Sequence, residues 1–199
     1  MKYILFTLIL CYAFNLKGQE KVQFPLLKKR IDSLAFIDKK TGQDVRNAKN
    51  TERDSLRKIV KVTFMQNTEL LKDIFAEYGF PNYDKVGKET SSNFWLCVQH
   101  SDHDLKFQEE VLREMKKQVK RKKANPSNFA FLTDRVNINQ HKAQIYGTQV
   151  TYDQNKTAVP KNLENPKGVN NRRKSIGLEP IEEYLEFLTE AHRQMNPDK

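Results

Sequence analysis

The chain has 199 residues, 30% of them charged, with 35 lysines and arginines against 25 acids and a formal net charge of +10. That length suits one domain with a proper core. The sequence carries no Gly-x-Ser-x-Gly elbow, P-loop, His-Glu-x-x-His or Cys-x-x-Cys, which argues against those well-marked enzyme classes.

The first element is a leader. Lys2 precedes an uncharged apolar run from Tyr3 to Phe14. This is shorter than the roughly 20 residues of a membrane-spanning helix and suits the apolar centre of a secretory signal. Residues 1–18 read as a signal peptide and 19–199 as a single α-rich domain, with cleavage after Ala13 or after Gly18 left open. On this reading the protein is secreted or periplasmic and keeps no transmembrane segment after cleavage. Lipid anchoring through Cys11 is the alternative, although Leu10 stands where such signals place a small residue. Losing residues 1–18 removes Lys2 and Lys17 and no acid, which leaves +8 and makes Cys97 the only thiol. A single cysteine makes no internal disulfide, so the core alone must hold the domain. Between Leu96 and Val98, Cys97 reads as a small buried hydrophobe rather than a nucleophile.

Helical periodicity dominates the rest of the chain. Leu27, Ile31, Leu34 and Ile37 form one stripe. A second helix is expected from a Thr51 cap, with Leu56, Ile59, Val60 and Phe64 inward. A third is expected after Thr68, with Leu70, Leu71, Ile74, Phe75 and Tyr78 inward, Gly79 at the left-handed C′ position and Pro81 beyond it. A short apolar helix spans Ser92 to about His100. The next begins near Asp102, capped by Ser101 or Asp102, and buries Phe107, Val111, Leu112, Met115 and Val119. Asn125 caps another helix, with Pro126 at its first position. Residues 143–159 alternate and are rich in β-branched and aromatic types, which predicts a two-stranded hairpin turning at Asp153–Asn155. A connection over Pro160–Asn170 leads to an amphipathic helix with Ile181, Tyr184, Leu185 and Leu188 inward. The fold class is therefore mainly α: a single helical domain with one small β-hairpin.

Three polar clusters stand out. In "QHSDHD", His100, His103 and Asp104 could bind a metal together only if one helix ran through them. The run "SDHD" before "LKFQEEVLREM" reads instead as a helix start, so no metal is assigned. His100 ends an apolar helix where no cap needs an imidazole, and is either a structural histidine or a catalytic one. In "TDRVNINQHKAQIYGTQV", Asp134 and Arg135 precede a strand that would put Gln144, Tyr146 and Thr148 on one face. Gly147 marks a bulge or a close approach of another segment. In "VNNRRKSIGLEP", Arg172 and Arg173 either clamp an anion or pair with an acid such as Asp134. The basic run Lys116–Lys123 has no interleaved aromatic residues, so it reads as a solvated helix end and no specific nucleic acid is expected.

These blocks, "VQH", "DRV", "QIYGTQ" and "RRKSIGL", resemble an uncharacterised bacterial family of unknown function over about residues 67–185. The family pattern falls here on Phe80, Pro81, Gly87, Trp95, Gln99, His100, Asp134, Arg135, Gln144, Tyr146, Gly147, Thr148, Gln149, Arg172, Arg173, Gly177 and Leu178. His141 stands near where the family has a glycine and is given no role. The resemblance implies no activity and no cofactor, but it links the three clusters into one expected pocket.

The leading expectation is an exported helical binding or interaction domain whose pocket takes a polar or anionic ligand through Arg135, Gln144, Gln149, Arg172 and Arg173. The alternative is an envelope or extracellular hydrolase. In it His100 is the general acid/base oriented by a neighbour such as Asp134, and Tyr146 positions the substrate. A third reading has the basic helix end neutralise an acidic partner.

Overall fold

The computed structural model describes residues 22–195, so the leader and Cys11 lie outside the described residues. Helix α1 (Pro25–Asn47) opens on Pro25, whose missing N–H is no loss in a first turn. Its buried stripe is Leu27, Ile31, Leu34, Ala35 and Asp38. Ile37, expected inward, is exposed. Steps of four, three and four residues keep to one helical face and lead to Asp38, and an acid is tolerated there because it has a partner.

Two expected helices are one. Helix α2 runs unbroken from Asn50 to Tyr78, and Thr68 is no cap. Its hydroxyl donates to the Phe64 carbonyl (2.7 Å) and shares a hydrogen bond with Ser101 Oγ (2.8 Å). A threonine bonding back inside a helix and one capping a helix have the same local sequence signature. Continuity of α2 turns Ile59 and Leu70 outward, against expectation, while Leu71 and Ile74 are buried. Nor is Thr51 a cap, since the helix starts one residue before it at Asn50. Gly79 ends the helix as expected at φ 64°, its N–H bonding to the Phe75 carbonyl.

A short helix α3 (Tyr83–Val86), capped by the Asn82 side chain, precedes α4 (Lys88–Gln99). Helix α5 (Leu105–Lys120) is capped by Asp104, which accepts from Phe107 N–H, rather than by Ser101 or Asp102. Ser101 is buried against α2, and Asp102 is engaged by α6 (Pro126–Asn139). Asn125 caps α6 as expected. Helix α1 packs on both α2 and α4, α5 packs on α6, and the core between them holds Ile31, Leu71, Phe94, Val98, Val111 and Leu132.

The hairpin is real but shorter than expected. Strands β1 (Val150–Tyr152) and β2 (Ala158–Pro160) pair antiparallel with Thr151 opposite Val159. The Asp153 N–H bonds to the Thr157 carbonyl across the turn. Residues 143–149 are not a strand: Gln144 makes a single parallel bridge to Leu163, and the chain then breaks at Gly147. After a 3₁₀ turn at Pro166–Gly168 come α7 (Val169–Ser175) and α8 (Ile181–Met195), on which β2 rests. Edge-on aromatic pairs, Trp95–Phe131 (6.4 Å) and Phe131–Tyr184 (6.1 Å), tie α8 through α6 to α4. Among the described residues no helix is long and apolar enough to cross a membrane.

Gly147 sits at φ 73°, and a Cβ built there would stand 2.5 Å from Ile181 Cδ1. Gly147→Ala adds left-handed strain of about 1–2 kcal/mol to a clash that the Ile181 side chain can partly relieve. We expect a loss of about 2 kcal/mol in stability, read by urea titration; an unchanged midpoint would show that the loop rearranges freely.

Candidate functional site

Asp134 and Arg135 are neighbours inside α6, so their side chains leave the helix about 100° apart. They join different networks. Asp134 is fully buried and aims at the loop after the helix. Its carboxylate accepts the N–H groups of Ile145 (2.7 Å), Tyr146 (3.0 Å) and Thr148 (2.9 Å) and the Thr148 hydroxyl (3.0 Å). These are main-chain donors that a loop off any ladder would otherwise leave unpaired. Gln144, also buried, works the same way: its amide donates to the Gln149 and Lys161 carbonyls and accepts from Gln149 N–H. The Gln149 side chain reaches Thr148 Oγ1 (3.2 Å).

The two arginines complete this hub from α7. Arg172 Nε donates to the Ile145 carbonyl (2.7 Å) and its Nη2 to Glu164 and Asn165 carbonyls. Arg173 donates to the carbonyls of Glu179 (2.6 Å) and Tyr146 (2.7 Å) and lies over the Tyr184 ring. Burial pulls Arg173 below the ordinary arginine range, with Glu179 opposing it. Burial likewise pushes the Tyr184 phenol up to about 12, and its hydroxyl donates to the Thr148 carbonyl. Tyr146 is half-buried, its phenol raised first by burial and then by Asp134. Asp134, Gln144, Tyr146, Gln149, Arg172 and Arg173 therefore meet in one place, with their polar groups turned mostly to main chain.

Arg135 belongs elsewhere. It grips Asp102 with Nε (2.8 Å) and Nη2 (2.5 Å), and Asn139 adds a third donor. Burial raises the Asp102 carboxyl, but the Arg135 hydrogen bonds outweigh it and hold the group below its usual range. Beneath this pair the buried Gln108 donates to the carbonyls of Val98 and Gln99, which as last-turn acceptors of α4 lack helical partners. Trp95 Nε1, Gln99 Oε1 and Gln108 Oε1 are buried here without a hydrogen-bond partner among the described residues.

His100 is oriented by Asp38 rather than by Asp134. Its Nδ1 lies 2.8 and 3.0 Å from the two Asp38 oxygens, and its ring stacks on Phe64 at 4.4 Å. The Asp38 side chain is 1% exposed and that of His100 29%, so a buried carboxylate fixes a ring that still meets solvent. His103 is exposed, while Asp104 caps α5 and pairs with Lys72 (3.2 Å). Among the described residues no three His, Cys, Asp or Glu side chains are grouped to hold a metal. Cys97 is buried, and burial followed by Asp38 drives its thiol up, so it is no thiolate at neutral pH.

Sequence reasoning missed Asp38 and Gln108. Both had a signal: each falls on an otherwise apolar helical stripe (31, 34, 38 and 108, 111, 115), where a polar residue must find a buried partner.

Residues 25–195 match a family model described as a family of unknown function (DUF6624), a wider span than the blocks at 67–185 that carry the resemblance. No curated protein matches the chain, and no solved structure does.

Proposed function

The chain belongs to the DUF6624 family of unknown function, and from that premise we propose an exported helical binding domain that holds a polar ligand without transforming it. The observation that carries this reading is the commitment of Asp134, Gln144, Arg172 and Arg173 to main-chain groups. Residues so engaged build a rigid frame and have no free acid, base or anion clamp to offer a reaction. The side chain left to meet a ligand is His100, held by Asp38 and Phe64 and partly open to solvent. Export is supported by the apolar run Tyr3–Phe14 behind Lys2.

One observation favours a second reading, an envelope or extracellular hydrolase. A carboxylate on Nδ1 leaves Nε2 as the outward nitrogen, which is the arrangement of a general base. In that case Asp38 is the orienting group.

His100→Asn separates the two. An asparagine amide can replace Nδ1 toward Asp38 but offers nothing at the place of Nε2. A small-molecule library is screened by NMR on the His100 ring signal. We expect compounds that shift this signal to be recovered intact, and their affinity to fall about tenfold in the variant as one charged or polar hydrogen bond is lost. Conversion of a bound compound by the wild type, abolished in His100→Asn, would establish the hydrolase instead.

A further inference from the structure

Where α1 turns into α2, three arginines surround a single cleft that none of the networks above includes. Arg46 lies in the last turn of α1. Arg53 and Arg57 sit one turn apart on the same side of α2. Met195, at the end of α8, closes the third side, and Val45 and Asn47 complete a space of about 480 Å³.

Among the described residues, no acid lines this cleft. The guanidinium groups keep most of their donors free of strong partners. Arg53 uses Nε on the Ala48 carbonyl (3.1 Å). Among the described residues Arg57 bonds only to Asp54 (3.1 Å), in a pair whose two side chains are largely exposed and therefore weakly coupled. The surroundings add to the field: between residues 25 and 63 the sequence has eleven lysines and arginines and five acids. Three like charges round one concave surface repel each other, and an anion seated between them reverses the sign of that interaction. Planar guanidinium forks match the paired oxygens of a phosphate better than they match a spherical ion such as chloride. Val45 and Met195 meanwhile give the cleft two apolar walls beside its charged ones.

We propose that this cleft is a binding site for a phosphomonoester with an apolar substituent, the phosphate on Arg46, Arg53 and Arg57 and the substituent against Val45 and Met195. A soluble metabolite and a phosphatidic acid headgroup share this chemistry. The site is separate from the His100 face and stands whether or not that face binds a ligand.

The test uses the full chain and phenyl phosphate, titrated by calorimetry at low ionic strength. Saturable binding is expected, several-fold tighter than for inorganic phosphate because of the apolar walls. It should weaken about tenfold or more in Arg53→Gln/Arg57→Gln, which removes two charge-assisted contacts. Lys116→Gln/Lys120→Gln, which removes the same charge from the exposed end of α5, should leave it within about twofold. Equal weakening in both double variants would overturn the proposal, since only net charge would then matter. Equal affinity for the two phosphates would overturn the apolar contact, and absence of saturation the site itself. Should the arginine variant fail to fold, shifts of the Val45 and Met195 methyl signals on adding phenyl phosphate to the wild type replace it, and unmoved methyls count against the site. Flotation with phosphatidylcholine vesicles, with and without phosphatidic acid, then assigns the source. An increment due to phosphatidic acid that vanishes in Arg53→Gln/Arg57→Gln marks a lipid headgroup, and its absence marks a soluble phosphomonoester.

Discussion

Asp134→Ala should lower the stability of the protein by about 3–5 kcal/mol, a large share of the roughly 5–15 kcal/mol that holds a domain together. The carboxylate has no exposure to water, and it gathers three main-chain N–H groups and the Thr148 hydroxyl. Alanine removes every acceptor at once. Each buried donor left unpaired costs about 1–3 kcal/mol, moderated where water can reach it. Asp134→Asn keeps the shape and separates two explanations. An amide has one acceptor oxygen, and its NH₂ would point at donors whichever way it is turned. If hydrogen bonding to the loop is what matters, the asparagine variant loses more than half as much as alanine. A urea midpoint for Asp134→Asn close to the wild type would show that the loop is held by packing instead.

The reach of local sequence can be seen by comparing Asp134 with His100. Helices α4, α5, α6 and α8 follow from apolar spacing and from caps such as Asn125, because both signals lie within a turn or two of the chain. The hairpin follows from alternation, and Gly147 from its position in it. Residues 143–149 look like strand for a reason that misleads: alternate polar side chains serve a strand with one wet face, and they also serve a loop wrapped on a buried acid. Only the fold shows that Gln144 faces the main chain of Gln149 and Lys161, and that Thr148 faces Asp134. The sequence blocks group residues without saying how these divide. Asp134 and Arg135 are adjacent in sequence and separate in space, since a helix turns by 100° per residue. Asp38 lies 62 residues from His100, beyond the reach of any periodicity. What finds it is the question of why an acid occupies a core stripe.

Arg173→Ala is the companion case, with an expected loss of about 3–5 kcal/mol. The Arg173 side chain is 1% exposed. It links the Glu179 carbonyl ahead of α8, the Tyr146 carbonyl in the loop and the Tyr184 ring on α8. Alanine leaves the Glu179 and Tyr146 carbonyls short of a donor and opens a space where the buried Arg173 side chain stood. Arg173→Lys keeps the charge but can satisfy fewer acceptors from a single point, so it should fall between alanine and wild type. The coupling with Asp134 is the more telling measurement. Asp134 takes the N–H of Tyr146 and Arg173 takes its carbonyl, so the two side chains hold opposite ends of one residue. Once either is gone the loop can shift and the other loses part of its purpose. The double variant Asp134→Ala/Arg173→Ala should therefore be less destabilised than the sum of the two, by about 1–2 kcal/mol. Strict additivity would mean that the acid and the arginine support separate parts of the chain, and that the frame around Tyr146 does not act as a unit.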